Sequence, residues 1–267
     1  MVLTRRVALN GVWLDDVDSR IVISSVEPGD GKENISAVDT ASGYGQRITG
    51  NRRSTLDIII KFRMLEHGKN VTGLQQRAEL LEKINAWARA GGYLTANYKP
   101  DRRIGVILVQ APGEGSLWDY TKEFTMTFRA YTVPYWEQET LRSITFGGSS
   151  NSGAGNATVE GSAPTQMDVN LQNTSGQAIS YANVVVDNKT LYFNNLGLGA
   201  GETLVIDHND GLLRIRIRSS GGAYRSAMAL RHPDSVDDFL VEPGARGCSF
   251  AAQRACRMTV SWRGRYL

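Results

Sequence analysis

Glu202 and Asp207 are the two side chains in this sequence that come closest to a catalytic pair. Two carboxylates on opposite sides of a sugar can hydrolyse a glycosidic bond. Carboxylates so close along the chain are common in turns, however, and we favour that structural interpretation. The histidines, His67, His208 and His232, are far apart, and no serine nucleophile elbow or His-Glu-x-x-His helix is present. The sequence therefore predicts a protein that is not an enzyme.

Two further segments have compositions that are typical of ligand-binding loops. The glycines of Gly197-Leu-Gly199-Ala-Gly201 lack the lysine and the following helix of a phosphate-binding loop. Residues 207–211, Asp-His-Asn-Asp-Gly, have the composition of a calcium loop, but their spacing is wrong and the distant glutamate is absent. Because turn formation explains the second segment better, we expect neither a cofactor nor a metal ion.

Arg214, Arg216 and Arg218 alternate with apolar residues in Leu213-Arg-Ile-Arg-Ile-Arg218. Alternation in a strand places the three arginines on one face and the apolar residues on the other. Like charges about 7 Å apart repel each other unless solvent or an acidic partner compensates them. A solvated face is the favoured interpretation, and a contact with another subunit or an acidic surface is the alternative.

The bulk properties are those of an ordinary globular protein. The 267 residues, 41% hydrophobic and 21% charged, suffice for one large domain or two smaller ones. A net charge of +3 does not indicate that the chain as a whole binds nucleic acid. No apolar run approaches the roughly 20 residues of a membrane-spanning helix, and the N-terminus lacks the apolar core of a secretory signal. We therefore expect synthesis in a cytosol and no membrane insertion.

Cys248 and Cys256 flank a predicted tight reversal near Ala252, which could place them opposite each other on a hairpin. Two free thiols in a protein made in a reducing compartment are the favoured interpretation. A disulfide formed after release from the cell is the alternative. A metal site is not expected, because no third or fourth ligand clusters nearby.

The first half of the sequence predicts a sheet with one packed helix. Strands are predicted at 7–14, 21–26, 55–64, 93–98, 103–110 and 122–129. A polar stretch from Pro28 to Ser54 precedes the third strand, and a connection of that length is usually functional or mobile. The helix is predicted over Gly73–Ala90 from apolar residues at helical spacing, with Thr72 and Gln75 as a capping box.

The stretch Phe124–Glu137 predicts the end of the first domain. It begins as an amphipathic strand, which Pro134 stops because proline cannot donate to a sheet ladder. Three aromatic residues, Tyr131, Tyr135 and Trp136, surround this stop. They are candidates for packing the junction between two domains.

The second half of the sequence is nearly all strand, which is typical of a sandwich or jelly roll. Strands are predicted at 169–171, 179–186, 190–193, 203–207, 212–218, 236–239, 247–250 and 258–262. Between the halves, the composition changes to glycine, serine and asparagine. We therefore predict a mainly β chain (β-rich α+β) with an N-terminal domain at 1–146, a flexible linker at 147–157 and a C-terminal β-sandwich at 158–267.

A series of motifs in a fixed order resembles the distal tail (Dit) proteins of siphophages, the long-tailed phages with non-contractile tails. In the first half these motifs are Leu9-Asn-Gly-Val-Trp-Leu14, the segment 45–62, Lys83-Ile-Asn-Ala-Trp87 and Tyr131-Thr-Val-Pro-Tyr-Trp136. In the second half they are Leu204-Val-Ile-Asp207, Phe239-Leu-Val-Glu-Pro-Gly244 and Trp262-Arg-Gly-Arg-Tyr-Leu267. No single motif is diagnostic, and the resemblance depends on their order over essentially the whole chain. The chain departs from some family members in lacking a large inserted carbohydrate-binding module.

The resemblance implies a tail-tube-like N-terminal β-sandwich or barrel with one helix and a galectin-like C-terminal β-sandwich. It implies a structural protein at the distal end of the virion tail, synthesised in the cytoplasm of a bacterial host. This protein would form a homohexameric ring around a channel for the phage DNA. As a baseplate hub, it would join the tail tube and tape measure proteins to the tail tip or fibre protein. Receptor-binding proteins at the periphery would connect it to host attachment and DNA ejection.

Two groups of arginines are candidate contacts with a neighbouring subunit or with the lumen of such a ring. Their members are Arg47, Arg52 and Arg53 in the first half and Arg214, Arg216 and Arg218 in the second. Edge strands and the long Pro28–Ser54 stretch could reach a neighbour, because unpaired edges invite pairing with another chain.

The alternative function is that of a stand-alone carbohydrate-binding adhesion protein. It requires an aromatic platform on the second domain. Candidates for the stacking faces are Tyr181, Tyr192, Phe193 and Tyr224, although core packing explains them equally well.

Overall fold

The chain divides into two compact units, Met1–Trp136 and Glu137–Leu267. The computed structural model describes residues 5–28, 32–39, 46–65, 71–113, 123–131, 133–209 and 212–267. The architecture is mainly β with few helices, as the sequence predicts. The division falls after Trp136, earlier than the predicted domain end at residue 146.

The first unit is a twisted antiparallel sheet with one long helix. Its elements are β1 (Val7–Leu9), β2 (Val12–Trp13), α1 (Leu14–Val17), β3 (Ile21–Pro28), β4 (Lys32–Asp39), β5 (Gln46–Met64), α2 (Val71–Arg89), β6 (Gly92–Ala96), β7 (Lys99–Gln110) and β8 (Phe124–Ala130). The strands lie in the order β2-β1-β6-β7-β8-β5-β3, and β4 pairs with β5.

Period-two alternation along β5 and β8 builds the core of the first unit. Ile58, Ile60 and Phe62 are fully buried, opposite Phe128, Met126 and Phe124 on β8. On the helix, the buried apolar side chains among the described residues are those of Leu80, Leu81, Ile84 and Ala88. The ring of Trp87 meets that of Phe128 edge-on, with 6.1 Å between centroids, so α2 covers this face of the sheet.

The helix begins two residues earlier than the sequence predicts. Because α2 starts at Val71, Thr72 lies inside the first turn rather than in the capping position. The prediction of a capping box at Thr72 and Gln75 is therefore wrong. The apolar periodicity located the body of the helix correctly, whereas its first turn is less apolar and marks the start poorly.

The predicted long connection from Pro28 to Ser54 is wrong, because most of it is a β-hairpin. Strand β5 is 19 residues long. Its second half pairs with β3 and β8, whereas residues 46–55 pair, among the described residues, with β4 alone. We call β4 together with residues 46–55 the β4–β5 ribbon. The segment Gln46-Arg-Ile-Thr-Gly-Asn-Arg-Arg-Ser-Thr55 has no alternating apolar pattern, so the usual sequence signal for a strand is absent.

The second unit is a sandwich of two antiparallel sheets. Its strands are β10 (Arg142–Gly147), β11 (Ser152–Val159), β12 (Thr165–Asn173), β13 (Ile179–Val186), β14 (Lys189–Leu198), β15 (Thr203–Asn209), β16 (Leu212–Arg218), β17 (Tyr224–Ser226), β18 (Leu240–Val241), β19 (Gly244–Ala252), β20 (Cys256–Trp262) and β21 (Arg265–Tyr266), and β9 (Trp136–Gln138) crosses from the first unit. Among its described residues, one sheet has the order β10-β20-β12-β15-β16-β17, with β18 pairing β12, and the other has the order β11-β19-β13-β14.

The two sheets bury one apolar face each in a common core. Examples are Met167, Val169 and Leu171 on β12 and Val184 and Val186 on β13, all at most 1% exposed. The predicted strand at 236–239 is wrong, because Phe239 fills this core from a loop. A buried apolar residue in a loop gives the same local sequence signal as one in a short strand.

The predicted flexible linker at 147–157 is also wrong, because most of it lies in strands. Strand β11 pairs with β19 along its whole length, from Ser152 opposite Ala251 to Val159 opposite Gly244. A Cβ atom at Gly153 would lie 2.8 Å from the ring of Phe250. These glycines therefore allow close packing against aromatic rings, which the sequence composition cannot distinguish from flexibility.

Cys248 and Cys256 are both free and buried, as the favoured interpretation predicts. The predicted hairpin between them is wrong, because β19 and β20 belong to different sheets. Burial raises the pKa of each thiol to about 11, so both remain protonated near neutral pH. Because the thiolate is the nucleophile, burial and protonation lower the reactivity of both residues in the folded state.

Gly153→Val tests whether the glycine-rich segment is a packed strand. We expect the free energy of unfolding to fall by about 1–3 kcal/mol, because the added side chain overpacks the site beside Phe250. Denaturant unfolding measures the change. The matched control is Ala154→Val on the exposed side of β11, which we expect to be nearly neutral. Equal stability of the Gly153 variant and the wild type would contradict the packing of Gly153 against Phe250 and would favour a flexible linker instead.

Candidate interaction surfaces

The arginines of β16 lie on one face of the larger sheet of the second unit, as alternation predicts. Ile215 and Ile217 point into the core and are fully buried. On the other face, Arg214 lies opposite Asp207 of β15, and Arg218 lies opposite Thr203. We call Arg214, Arg216 and Arg218 the arginine row.

Asp207 neutralises part of the arginine row from within the chain. Its carboxylate accepts hydrogen bonds from Arg214 Nε at 2.7 Å and from Arg216 at 2.5 Å. Burial alone would raise the pKa of Asp207, but these hydrogen bonds outweigh burial and lower it below its ordinary value of 3.8. The guanidinium of Arg216 also lies 4.4 Å from the ring centre of Tyr224, a cation–π geometry. The repulsion expected between neighbouring arginines is thereby relieved.

Arg218 differs from the other two members of the row. Its side chain is exposed, and among the described residues this side chain has no hydrogen bond or ion pair. Arg225 on the neighbouring strand β17 pairs instead with Glu202, at 2.7 Å. The row therefore ends in one uncompensated positive charge near the edge of the sheet.

The two candidate catalytic carboxylates are both committed to structural contacts. Glu202 accepts hydrogen bonds from Arg225 and from the backbone N–H of Gly199, which together lower its pKa. Asp207 is held by the arginine row. A glycosidase acid must instead hold a proton near neutral pH, so this arrangement does not fit that chemistry.

The described part of the calcium-like segment, residues 207–209, provides no cation site. Residues 210 and 211 lie outside the described residues. Over the described ranges, no group of three or more His, Cys, Asp and Glu side chains is placed to hold a metal ion.

The arginines predicted in the first half lie on the β4–β5 ribbon. In the backbone register, Arg47 lies opposite Val38, Arg52 opposite Asn34 and Arg53 opposite Glu33. Their side chains lie outside what the structure describes. Their predicted contacts with a lumen or a neighbour remain a prediction.

The three candidate junction aromatics have different environments. Trp136 is 1% exposed, and Lys99 Nζ lies 4.9 Å from its ring centre. Tyr131 is 48% exposed, with the Arg129 guanidinium 5.8 Å from its ring. Tyr135 is half-buried. Trp136 is thus buried, whereas Tyr131 and Tyr135 are not, and a junction role for the three remains a prediction.

The sheet of the first unit has a second face, opposite α2, that sequence reasoning did not single out. Arg129 and Asp57 form a two-pronged ion pair there, and Arg103 lies 3.9 Å from the ring centre of Tyr93. Ile107, beside Arg129 in the register, is 53% exposed. Alternation along β7 could have located this mixed charged and apolar face, which we call the open face.

The four predicted stacking aromatics are separated by the fold. Phe193 is fully buried in the core of the second unit. Tyr224 lies on the larger sheet beside Arg216. Tyr181 and Tyr192 are exposed on neighbouring strands of the four-stranded sheet. Only this last pair could form a common platform.

No described helix combines the length and the apolar character needed to cross a membrane.

A solved structure aligns with nearly the whole chain, through both units. The crystal structure of the Dit protein of phage SPP1, described as a paradigm of the hub adsorption apparatus in phages that infect Gram-positive bacteria, aligns with a TM-score of 0.65 and 14% identity. The alignment covers 98% of this chain and 99% of the SPP1 chain. The chain has the Dit fold. At this identity the likeness shows the fold alone.

Other comparisons add little to this assignment of the Dit fold. Two structures of the phage P2 baseplate in its activated conformation, with Ca and with Sr, align at a TM-score of 0.46 and 8% identity over at least 97% of each chain, which is too low to support an argument. No model of a protein family matches the sequence. No curated protein matches it either.

Asp207→Asn tests whether Asp207 stabilises the fold through its hydrogen bonds with Arg214 and Arg216 of the arginine row. We expect a loss of about 1–3 kcal/mol in the free energy of unfolding at pH 7, because charge-assisted hydrogen bonds to two arginines are weakened. The folded-state pKa of Asp207 is depressed, so its stabilisation is present above about pH 3.8 and is lost as the pH falls below that value. The difference between variant and wild type should therefore shrink in acid. Denaturant unfolding at several pH values measures it, and a difference independent of pH would contradict the clamp.

Trp136→Ala tests whether this residue closes the core of the first unit. Removing a buried indole should cost about 3–5 kcal/mol of stability. The matched control is Tyr131→Ala, which we expect to cost far less because that ring is about half exposed. Thermal unfolding of both variants gives the comparison. Equal losses for the two substitutions would show that Trp136 has no special place in the core.

Proposed function

We propose that this chain is a structural, non-enzymatic subunit of a siphophage tail tip, in the position of a distal tail hub. The observation that carries the proposal is the likeness to SPP1 Dit, which extends through both units. A single shared sandwich would be weak support, because such folds occur in many unrelated proteins. Two different units joined in the same order over 98% of the chain are far more specific.

The subunits of this hub assemble into a homohexameric ring. The β4–β5 ribbon supports this part of the proposal. A two-stranded ribbon is only marginally stable in water, and its outer edges have unpaired backbone groups that invite another strand. Residues 46–55 pair only with β4 in the described part of the chain, so a neighbouring copy is the natural partner. A closed ring requires such a contact between two different surfaces of the same chain.

The open face of the first unit is the second surface that we assign to the ring. It combines an exposed Ile107 with paired charges at Asp57 and Arg129. Mixed apolar and charged surfaces are typical of interfaces between folded subunits. The ribbon of one copy against the open face of the next gives two different complementary surfaces.

In the assembled tail, this ring surrounds the channel through which the phage DNA passes. It joins the tail tube and tape measure proteins to the tail tip or fibre protein, and receptor-binding proteins attach at its periphery. Arg47, Arg52 and Arg53 contact the lumen or the neighbouring subunit. The arginine row contacts another tail protein with an acidic surface through the exposed side chain of Arg218.

Shortening the ribbon tests the proposed assembly. Lys32 and Thr55 are opposite each other in the ladder, so an Asn-Gly turn can replace residues 33–54 and still connect β3 to the sheet through β5. Native mass spectrometry should find a closed ring for the wild type and a monomer for the shortened chain. The shortened chain should keep the circular dichroism spectrum of a β protein, because the core pairings of β5 with β3 and β8 remain.

Two outcomes of this experiment count against the proposal. A wild-type chain that remains monomeric at all concentrations, and in the presence of a tail-tube or tail-tip protein, would contradict the hub. A shortened chain that still forms the ring would leave the hub intact and remove the ribbon from its interface. Arg218→Glu serves as a control, because we assign that residue to a different contact.

A further inference from the structure

The outer face of the four-stranded sheet in the second unit is uncharged along its two central cross-strand rows. One row consists of Ser152, Ala251, Asn183 and Tyr192, which are successive partners in the ladders. The parallel row consists of Ala154, Ser249, Val185 and Thr190. At a strand spacing of about 4.8 Å, each row is about 14 Å long.

On this face, exposed tyrosines lie on one side and small side chains lie on the other. Tyr181 and Tyr192 are 41% and 39% exposed on β13 and β14. Tyr181 lies opposite Asn194 and Tyr192 opposite Asn183, so the two tyrosines are diagonal neighbours. The adjoining strands β11 and β19 present serine and alanine side chains instead. We call the two tyrosines and this floor of small residues the tyrosine step.

Neighbouring groups hold both tyrosines in place. The Asn183 side-chain amide donates a hydrogen bond to Tyr181 Oη at 2.5 Å. The backbone N–H of Tyr192 donates to Ser235 Oγ at 2.9 Å, and the His232 ring lies edge-on to the Tyr192 ring at 6.5 Å. Exposed rings that are ordered in advance lose less conformational freedom when a ligand binds.

We propose that the tyrosine step is a binding site for a neutral saccharide chain. The face of a tyrosine ring carries partial negative charge and attracts the weakly positive C–H groups on the face of a sugar ring. The amide of the exposed Asn194 and the hydroxyl of Ser249 supply both donors and acceptors for sugar hydroxyls. The proposal does not depend on the ring-hub function, because it concerns one face of the second unit alone.

The uncharged rows and their small side chains favour a neutral saccharide over two other ligands, a polyanion and a protein. A polyanion requires lysine or arginine, and the two central rows contain neither. A protein interface of useful affinity usually has a more apolar core than a floor of alanine and serine. An uncharged ligand with alternating apolar and hydroxyl surfaces matches the tyrosine step better than either.

Isothermal titration calorimetry with the full chain tests the proposal. The probes are neutral β-linked hexasaccharides of glucose, N-acetylglucosamine and galactose, with polyphosphate as the charged probe. We expect the wild type to bind at least one hexasaccharide at the tyrosine step. Tyr181→Ala combined with Tyr192→Ala should weaken that binding by about tenfold or more. The matched control is Tyr224→Ala, a somewhat more exposed tyrosine (50%) on the other sheet, and this variant should bind as the wild type does.

The remaining outcomes overturn the proposal. No binding of any hexasaccharide by the wild type, binding unaffected by the double substitution, or equal loss in the Tyr224 variant would each do so. If the double variant does not fold, Ala251→Arg takes its place, because it adds a long charged side chain over an exposed part of the floor. That variant should lose hexasaccharide binding, and retained binding would refute the assignment. Ring formation, measured separately by native mass spectrometry, should be the same in all of these variants.

Discussion

The burial of one face of every major sheet is the constraint on which the rest of this structure depends. Because strand side chains alternate, fixing Ile215 and Ile217 in the core of the second unit forces Arg214, Arg216 and Arg218 onto the outer face. A slip of one residue in register would exchange the two sets and bury three positive charges. Because burying these charges would cost free energy, the register is fixed. The side chains that each outer surface presents are therefore fixed as well.

The two outer faces of the second unit have opposite chemical character. The larger sheet presents arginines that Asp207 partly neutralises, and among the described residues the side chain of Arg218 has no ion-pair partner. The four-stranded sheet presents tyrosines, amides and small side chains. A protein that joins an acidic partner on one side and a neutral polymer on another would need this division. The first unit is different again, because residues 46–55 of its ribbon pair only with β4 in the described part of the chain.

The parts of the fold that could be predicted are those whose apolar pattern is regular. Strands β13 and β16 were predicted with their observed bounds, and the body of α2 follows from apolar residues at helical spacing. Strand β11 was missed because its inward positions include Gly153 and Gly155, where aromatic rings fill the space that side chains would occupy. The β4–β5 ribbon was missed because residues 46–55 have no alternating apolar pattern.

The candidate surfaces, like the fold, could be predicted only in part from the sequence. The arginine row could be recognised from alternation, but its clamp by Asp207 depends on the pairing of β15 with β16, which spacing alone does not give. Tyr181 and Tyr192 were among four plausible aromatics, and only the register brings these two together while placing Phe193 in the core. The order of the motifs along the whole chain, rather than any one residue, indicated the Dit fold that the structural comparison supports.

The position of this chain in the virion is the most direct test of the account. Immunogold labelling of intact phage particles with an antibody against the chain, viewed by electron microscopy, measures that position. The account predicts gold particles at the distal end of a long, non-contractile tail and none on the capsid or along the tube. Label on any other part of the particle, or particles that assemble complete tails without the chain, would contradict it.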